Sequence, residues 1–263
     1  MIKRISFLFL LIVFSFYGLV LAAPNEIKGK HFIVRYDTEH DFAQKVLNRA
    51  ESEYDRIAKN LGYSRYDKYW SFKDRCTLYI YADKESYVRS RPGIPDWSAG
   101  YAEYDTRTIS GFRGSDKFLS TVLPHEITHL IFNDYVRSQA NIPKWFLEGV
   151  ALSQEEKVRK NFLEQVGKAL YQHYFIPIYL LTDESYKGVH SYQYTYLAYA
   201  EAALLVDFLI SSYGNERFVK FCRELREGNS FVQAFEAAYR GTLASVEDLE
   251  TQFTTKFSVD GRY

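Results

Sequence analysis

The sequence predicts an α+β fold, with strands in the first half of the chain and helices in the second half. The chain of 263 residues is 47% hydrophobic and 25% charged, a composition typical of a globular protein and not of a disordered or fibrous one. Segments rich in alternating, β-branched or aromatic residues end near Phe112, and helical periodicity dominates from Phe118 onward. This segregation argues against alternating βαβ units with a parallel sheet.

The first elements are a strand at residues 30–36 and an amphipathic helix at residues 41–61, which Gly62 closes. Apolar residues recur three or four positions apart along this helix, at Phe42, Val46, Ala50, Tyr54, Ile57 and Leu61. A second strand is predicted at residues 76–81, where β-branched and aromatic residues follow one another. A loop containing Pro92, Gly93 and Pro95 follows.

Residues 97–112 predict one or two further strands, in which residues 101–104 and 106–110 flank a turn at Asp105. The remainder reads as helical, with breaks around Pro143, residues 177–189 and Gly214. No internal repeat and no convincing linker divides the chain, which indicates a single domain.

Residues 1–22 are predicted to be a signal peptide, because a short basic start precedes the almost wholly apolar residues 5–20 and Ala22 supplies a small residue at the cleavage site. An uncleaved anchor helix is the alternative, since the apolar stretch is only just shorter than a bilayer span of about 18 residues. After cleavage we expect a secreted or periplasmic protein with no stable membrane span. Its single domain would cover residues 23–263, sheet-rich over 23–117 and helical over 118–263.

The charge balance excludes nucleic acid as an expected partner. Lys and Arg together number 33, as do Asp and Glu, and no basic run is present to neutralise phosphates. Aromatic residues make up 17% of the chain, so many rings are expected to be half-buried or to line a groove. Cys76 and Cys222 are compatible with a disulfide in an oxidising compartment or with two buried thiols, and the sequence leaves both open.

The residues that indicate chemistry read His-Glu-Ile-Thr-His from His125 to His129. Residues four apart share one face of a helix, so both imidazoles can bind the same metal ion while Glu126 reaches a water molecule beside it. The apolar neighbours of this motif predict burial, and burying two imidazoles and a carboxylate without a partner would be costly. A pair of surface histidines beside an ion-paired Glu is the alternative.

A zinc site needs a third protein ligand, and Glu148 is the candidate. Pro143 suits the first turn of a new helix, which would carry Glu148 toward the histidines if it packs antiparallel to the preceding helix. Gly149 would then allow the two helices to approach closely beside the metal.

These two motifs resemble the gluzincin-type zinc metallopeptidases, and most closely the bacterial peptidase-MA-like domains, which pair an HExxH helix with a WxxEGxA helix. The corresponding residues here are 125–129 and 145–151. The resemblance implies a zincin-like fold with the HExxH helix between its sheet-rich and helical parts. It also implies one Zn²⁺ per chain, held by His125, His129 and Glu148. A weaker match through residues 199–214 places Tyr199 on a tyrosine-containing helix of this family.

The chain departs from some gluzincins at Leu152, where an acid four residues after the third ligand would orient a histidine. Four other residues could fill that role, namely Asn133, Asp134, Glu155 and Glu156, and the sequence does not choose among them.

The resulting hypothesis is a secreted zinc metallopeptidase acting on a peptide or protein substrate. Glu126 would be the general base, and Tyr199 would stabilise the oxyanion, although core packing is an equally simple role for that ring. The strand at residues 106–112 is expected to be the sheet edge that pairs with substrate backbone. Alternatives are an exported binding module that retains the zinc without turnover, and a zinc amidohydrolase acting on a non-peptide envelope substrate. The sequence does not reveal the oligomeric state.

Overall fold

The structure is a computed structural model. It describes residues 25–63, 70–115, 117–137, 141–155, 175–182 and 192–259, with Phe162, Val166, Lys168 and Ala169 between them. The signal peptide predicted at residues 1–22 lies outside the described residues, as does Glu156.

The sheet-rich part contains one five-stranded sheet in the order β1-β2-β3-β5-β4. Its strands are β1 (Asn25–Lys28), β2 (Phe32–Tyr36), β3 (Cys76–Tyr81), β4 (Gly100–Glu103) and β5 (Thr108–Phe112). The three central strands are parallel, and β1 and β4 run antiparallel to their neighbours. The expectation against βαβ units with a parallel sheet is therefore wrong for the centre of this sheet.

Helix α1 (His40–Asn60) explains the parallel pairing, because two parallel strands need a long crossover and α1 provides it between β2 and β3. Its buried face packs on β2 and on the helix that carries the histidine motif. The residues of that face are Ala43, Val46, Leu47, Ala50, Glu53, Tyr54, Ile57 and Ala58. The predicted amphipathic pattern therefore places α1 directly behind the candidate site.

The expected edge strand is also different in the structure. Residues 106–112 correspond to β5, which pairs with β3 on one side and with β4 on the other. All five residues of β5 are buried, and a Cβ atom at Gly111 would lie 2.1 Å from the Phe118 ring. The edge on this side of the sheet is β4, because the chain turns back after it and adds β5 inside.

The remaining helices are α2 (Lys84–Arg89), α3 (Leu123–Val136), α4 (Lys144–Ser153), α5 (Ile178–Thr182), α6 (Tyr192–Tyr213), α7 (Asn215–Arg226), α8 (Phe231–Tyr239) and α9 (Val246–Val259). All of them except α2 follow the sheet in the sequence, which confirms the α+β prediction and the position of the motif helix between the two parts. The apolar side chains of both parts join in one buried cluster.

Helix α6 is long and apolar enough over Tyr194–Tyr213 to cross a membrane by length and composition. Half of that stretch is buried inside the fold, where α6 packs on α4 and α7. These contacts are those of a core helix.

Cys76 and Cys222 are both buried, and neither forms a disulfide. Cys76 begins β3, and Cys222 lies on the buried face of α7. Of the two alternatives left open by the sequence, the structure shows the buried thiols.

Candidate metal centre

Helix α3 presents the histidine motif immediately after an unusual turn. Residues 118–122 form a π-helical turn that continues directly into α3 at Leu123. Pro124 lies in the first turn, where its missing N–H removes no helical hydrogen bond. Val122 is the N-cap residue, and no side chain caps the helix.

Three ligand atoms from α3 and α4 converge on one point. The Nε2 atoms of His125 and His129 are 3.0 Å apart. The Oε2 atom of Glu148 lies 3.6 Å from the first and 3.7 Å from the second. The three side chains are each about one-fifth exposed or less, so the point lies in a recess that remains open to solvent.

The spacing of these atoms fits a zinc ion. In a tetrahedral site with ligand bonds of about 2.0–2.1 Å, any two ligand atoms are about 3.3 Å apart. The three separations here lie on both sides of that value. Two imidazoles and one carboxylate are also the ligand set of known catalytic zinc sites, in which the fourth position is left to water or substrate.

Glu155 orients the first of these ligands. The Nδ1 atom of His125 donates to its Oε1 at 2.8 Å, and the Glu155 carboxylate is 4% exposed. This contact fixes the ring so that Nε2 faces the metal position, the usual arrangement for a metal-binding histidine. Of the four candidates for this role, the structure places Glu155 at His125. Glu155 lies two residues beyond the end of α4, so no helical spacing in the sequence identified it.

Asp134 has a different environment. It accepts a hydrogen bond from the Trp70 indole at 2.6 Å and pairs with Arg107 at 3.1 Å. It therefore connects the end of α3 to the residues that precede β3 and β5. Neither contact involves a histidine of the motif.

The electrostatics of the centre favour a bound cation. Burial would lower the pKa of His125, but the Glu148 and Glu155 carboxylates outweigh burial and raise that pKa to about 10. Burial conversely raises the pKa of Glu148, and the neighbouring imidazoles of His125 and His129 overcome burial and hold that pKa well below its usual range. The carboxylates of Glu148 and Glu155 thus stabilise positive charge in the recess. A divalent ion would supply such a charge.

Glu126 differs from the ligand acid. Burial raises its pKa, and the two neighbouring imidazoles offset this only in part. A carboxylate that is costly to keep charged and lies beside the metal position is well suited to accept a proton.

Gly149 allows a close helix contact, but the partner is α6 and not the histidine helix as expected. A Cβ atom at Gly149 would lie 2.4 Å from the Ala202 carbonyl oxygen. Tyr199 is one turn before Ala202 on α6, and it is consequently brought toward Glu148. Burial first, and then the Glu148 charge, raises the pKa of Tyr199.

Tyr104, which directly follows the edge strand β4, was not predicted from the sequence. Its pKa is raised to about 12, first by burial and then by the charges of Glu126 and Glu148. The phenol therefore lies within electrostatic reach of both carboxylates, although the residue is 48% exposed. Nothing in the local sequence distinguishes it from the other 22 tyrosines of the 23 in the chain.

Comparison with known proteins agrees with this geometry. A family model described as the peptidase MA superfamily matches residues 67–256, which include every residue of the candidate centre. No curated protein sequence matches the chain.

Proposed function

The chain belongs to the peptidase MA superfamily, and we propose that it is a zinc-dependent metallopeptidase that hydrolyses peptide bonds. The observation that carries this proposal is the convergence of His125, His129 and Glu148 at the spacing of a zinc site. Zinc held by these residues would polarise the substrate carbonyl and lower the pKa of a water molecule to about 7.

Glu126 is the proton carrier in this proposal. Its position one residue beyond His125 puts the carboxylate beside the metal position without making it a ligand. It accepts a proton from the attacking water and donates it to the amine that leaves when the peptide bond breaks. Its raised pKa assists the first step, because a carboxylate that is costly to keep charged accepts a proton readily.

The substrate would bind along β4. Among the described residues, β4 pairs with β5 alone, so its outer backbone groups can hydrogen-bond an extended peptide. Tyr104 directly follows this strand, and Tyr199 approaches Glu148 from α6. Either phenol could donate to the oxyanion that forms when the carbonyl is attacked.

Replacing the proton carrier tests the proposal directly. We expect Glu126→Gln to keep zinc and fold while losing nearly all hydrolysis of a peptide library, because only the proton acceptor is removed. Wild-type protein should be inactivated by a chelator and recover when zinc is added back.

Two other outcomes would replace the proposal. Full zinc occupancy without cleavage of any peptide would indicate a binding module. Cleavage restricted to non-peptide amides of envelope polymers would indicate an amidohydrolase.

We further propose that the protein is exported and that residues 1–22 are removed. The basic start, the apolar stretch and Ala22 support this. N-terminal sequencing of protein recovered outside the cytoplasm should begin at Ala23. Recovery of the full-length chain in the membrane fraction would instead indicate an anchor.

A further inference from the structure

We infer that Arg56, on α1, is a positioning residue of the metal centre. Its guanidinium holds the peptide unit that joins Gln154 to Glu155, and through it the carboxylate that orients His125. This inference rests on the proposed binding of zinc at His125.

The guanidinium of Arg56 is held in a fixed orientation by Glu53. Its Nε and Nη2 atoms donate to Oε2 of Glu53, one helical turn earlier, at 2.9 and 2.6 Å. Glu53 is a buried acid, with 5% of its side chain exposed, and Arg49 pairs with its other oxygen. A planar guanidinium bound by two of its nitrogens to one carboxylate has little freedom left, so its remaining N–H groups point in defined directions.

The second step is the contact with the end of α4. Nη2 of Arg56 donates to the backbone carbonyl of Gln154 at 2.7 Å, and Nη1 donates to the Gln154 side-chain oxygen at 3.2 Å. Asn60 donates to the same side-chain oxygen at 2.9 Å. Gln154 is 5% exposed, so α1 supplies donors that water does not readily provide there.

The third step links this contact to Glu155. The carbonyl of Gln154 and the N–H of Glu155 belong to one planar peptide unit. Arg56 binds the carbonyl, and the N–H donates to the Leu152 carbonyl at 3.0 Å. Both sides of the unit are therefore held, which fixes the Cα atom from which the Glu155 side chain reaches His125.

The location explains why an arginine is suited to this role. Carbonyls in the last turn of a helix lack partners within the helix, and a cation there also interacts favourably with the helix dipole. Here the residue directly after that turn is Glu155, the acid that orients His125. A displacement of the Gln154 carbonyl would move the Glu155 backbone. The 2.8 Å contact between the Glu155 carboxylate and Nδ1 of His125 would pass this movement to the ring.

Zinc affinity of the full chain without its signal peptide, measured by competition with a chromophoric chelator, tests the inference. We expect Arg56→Met to weaken zinc binding about tenfold, the lower end of the effect of removing outer partners of metal ligands. Arg49→Met is the matched control, because Arg49 also pairs with Glu53 but, within the described residues, forms no hydrogen bond with Gln154. It should change affinity by less than about twofold.

A double-mutant cycle separates positioning from general stabilisation. In a Glu155→Ala background, Arg56→Met should cause no further loss of zinc affinity, because its effect passes through Glu155. Unfolding temperatures of the metal-free variants record any structural role, and both arginine variants should lower them alike.

Three outcomes would overturn the inference. These are equal losses of affinity in the two arginine variants, an additive loss in the Glu155→Ala background, and unchanged affinity in Arg56→Met. If Arg56→Met does not fold, Arg56→Lys is the second variant. It keeps a positive charge beside Glu53 but lacks the guanidinium that donates to both Gln154 oxygens. That variant should show an intermediate loss, and unchanged affinity would again overturn the inference. Wild-type protein that binds no zinc would instead refute the proposed function itself.

Discussion

Two glutamates on facing helices, Glu148 partly exposed and Glu201 fully buried, have opposite ionisation. Glu148 on α4 meets two imidazoles, and its pKa is held well below the usual range. Glu201 on α6 is fully buried, and both of its oxygens accept from the Ile176 N–H at 3.1 Å. Burial raises the pKa of Glu201 to about 9, a single backbone donor opposes this weakly, and the Glu250 charge adds to it.

The difference shows what burial does to an acid that, among the described residues, has no cationic partner. A buried carboxyl ordinarily becomes neutral, as Glu201 is at pH 7, and only strong partners keep it charged. The charge on Glu148 is therefore maintained by the histidines arranged around it. A neutral acid can serve packing, whereas a charged acid between two imidazoles can bind a metal.

Removing each acid in turn gives the largest contrast. Glu148→Ala should lose stoichiometric zinc and all measurable hydrolysis, since loss of a ligand exceeds the about 10–100-fold effect of losing an outer partner. Glu201→Gln should retain both. Elemental analysis of dialysed protein measures the metal directly. Equal zinc content in the two variants would mean that Glu148 is not the third ligand.

Tyr199 lies on the same helix as Glu201 but is close enough to Glu148 to feel its charge. Tyr199→Phe should lower kcat by about 10²–10³, the usual effect of losing one oxyanion donor. Zinc content and KM should hardly change. Tyr196→Phe is the control on the same helix, because that ring packs on Phe162. An active Tyr199→Phe together with an impaired Tyr104→Phe would move the donor to the end of the edge strand.

The orienting acid should matter less than the ligand acid. Glu155→Ala is expected to weaken zinc binding about 10–100-fold, because the His125 ring loses the contact that fixes its direction. Chelator competition provides the measurement, with Asp134→Asn as a control that alters an acid of α3 outside the metal position. Unchanged affinity in Glu155→Ala would show that the His125 ring needs no such support.

Stability should also depend on pH through Glu201. Its pKa is higher in the folded chain than the ordinary value of 4.5, so its stabilising effect is complete at low pH and is lost as pH rises from about 4.5 to about 9. Glu201→Gln should therefore flatten the decline in unfolding temperature over this range, by about 2–4 °C for each kcal/mol recovered. Parallel profiles for variant and wild type would show that Glu201 does not titrate in this way.

Local patterns were sufficient for much of the fold and for the centre of the site. Strand β3 and helix α1 follow from periodicity within one segment. The ligand residues follow from two motifs, each of which fits on one helix. Strand β1 and helix α2 were not predicted, because four and six residues offer too little pattern to separate from loops.

Long-range relations were beyond the sequence. The inward position of β5 depends on which strands become neighbours, and periodicity carries no information about this. The contact of Arg56 with Gln154 joins residues 98 positions apart, and each of them reads as an ordinary polar residue of a helix. The partner of Gly149 was wrongly assigned for the same reason, since a small residue indicates a close approach but not the helix that makes it.

The two buried cysteines can report on local unfolding of the protein. Burial raises the pKa of both thiols far above the usual range, so neither forms the reactive thiolate while the fold is closed. A thiol reagent would then react at the rate at which the surrounding structure opens. Cys76 reports on the sheet and Cys222 on the helical part, so single-cysteine variants would show whether the two parts open together or separately.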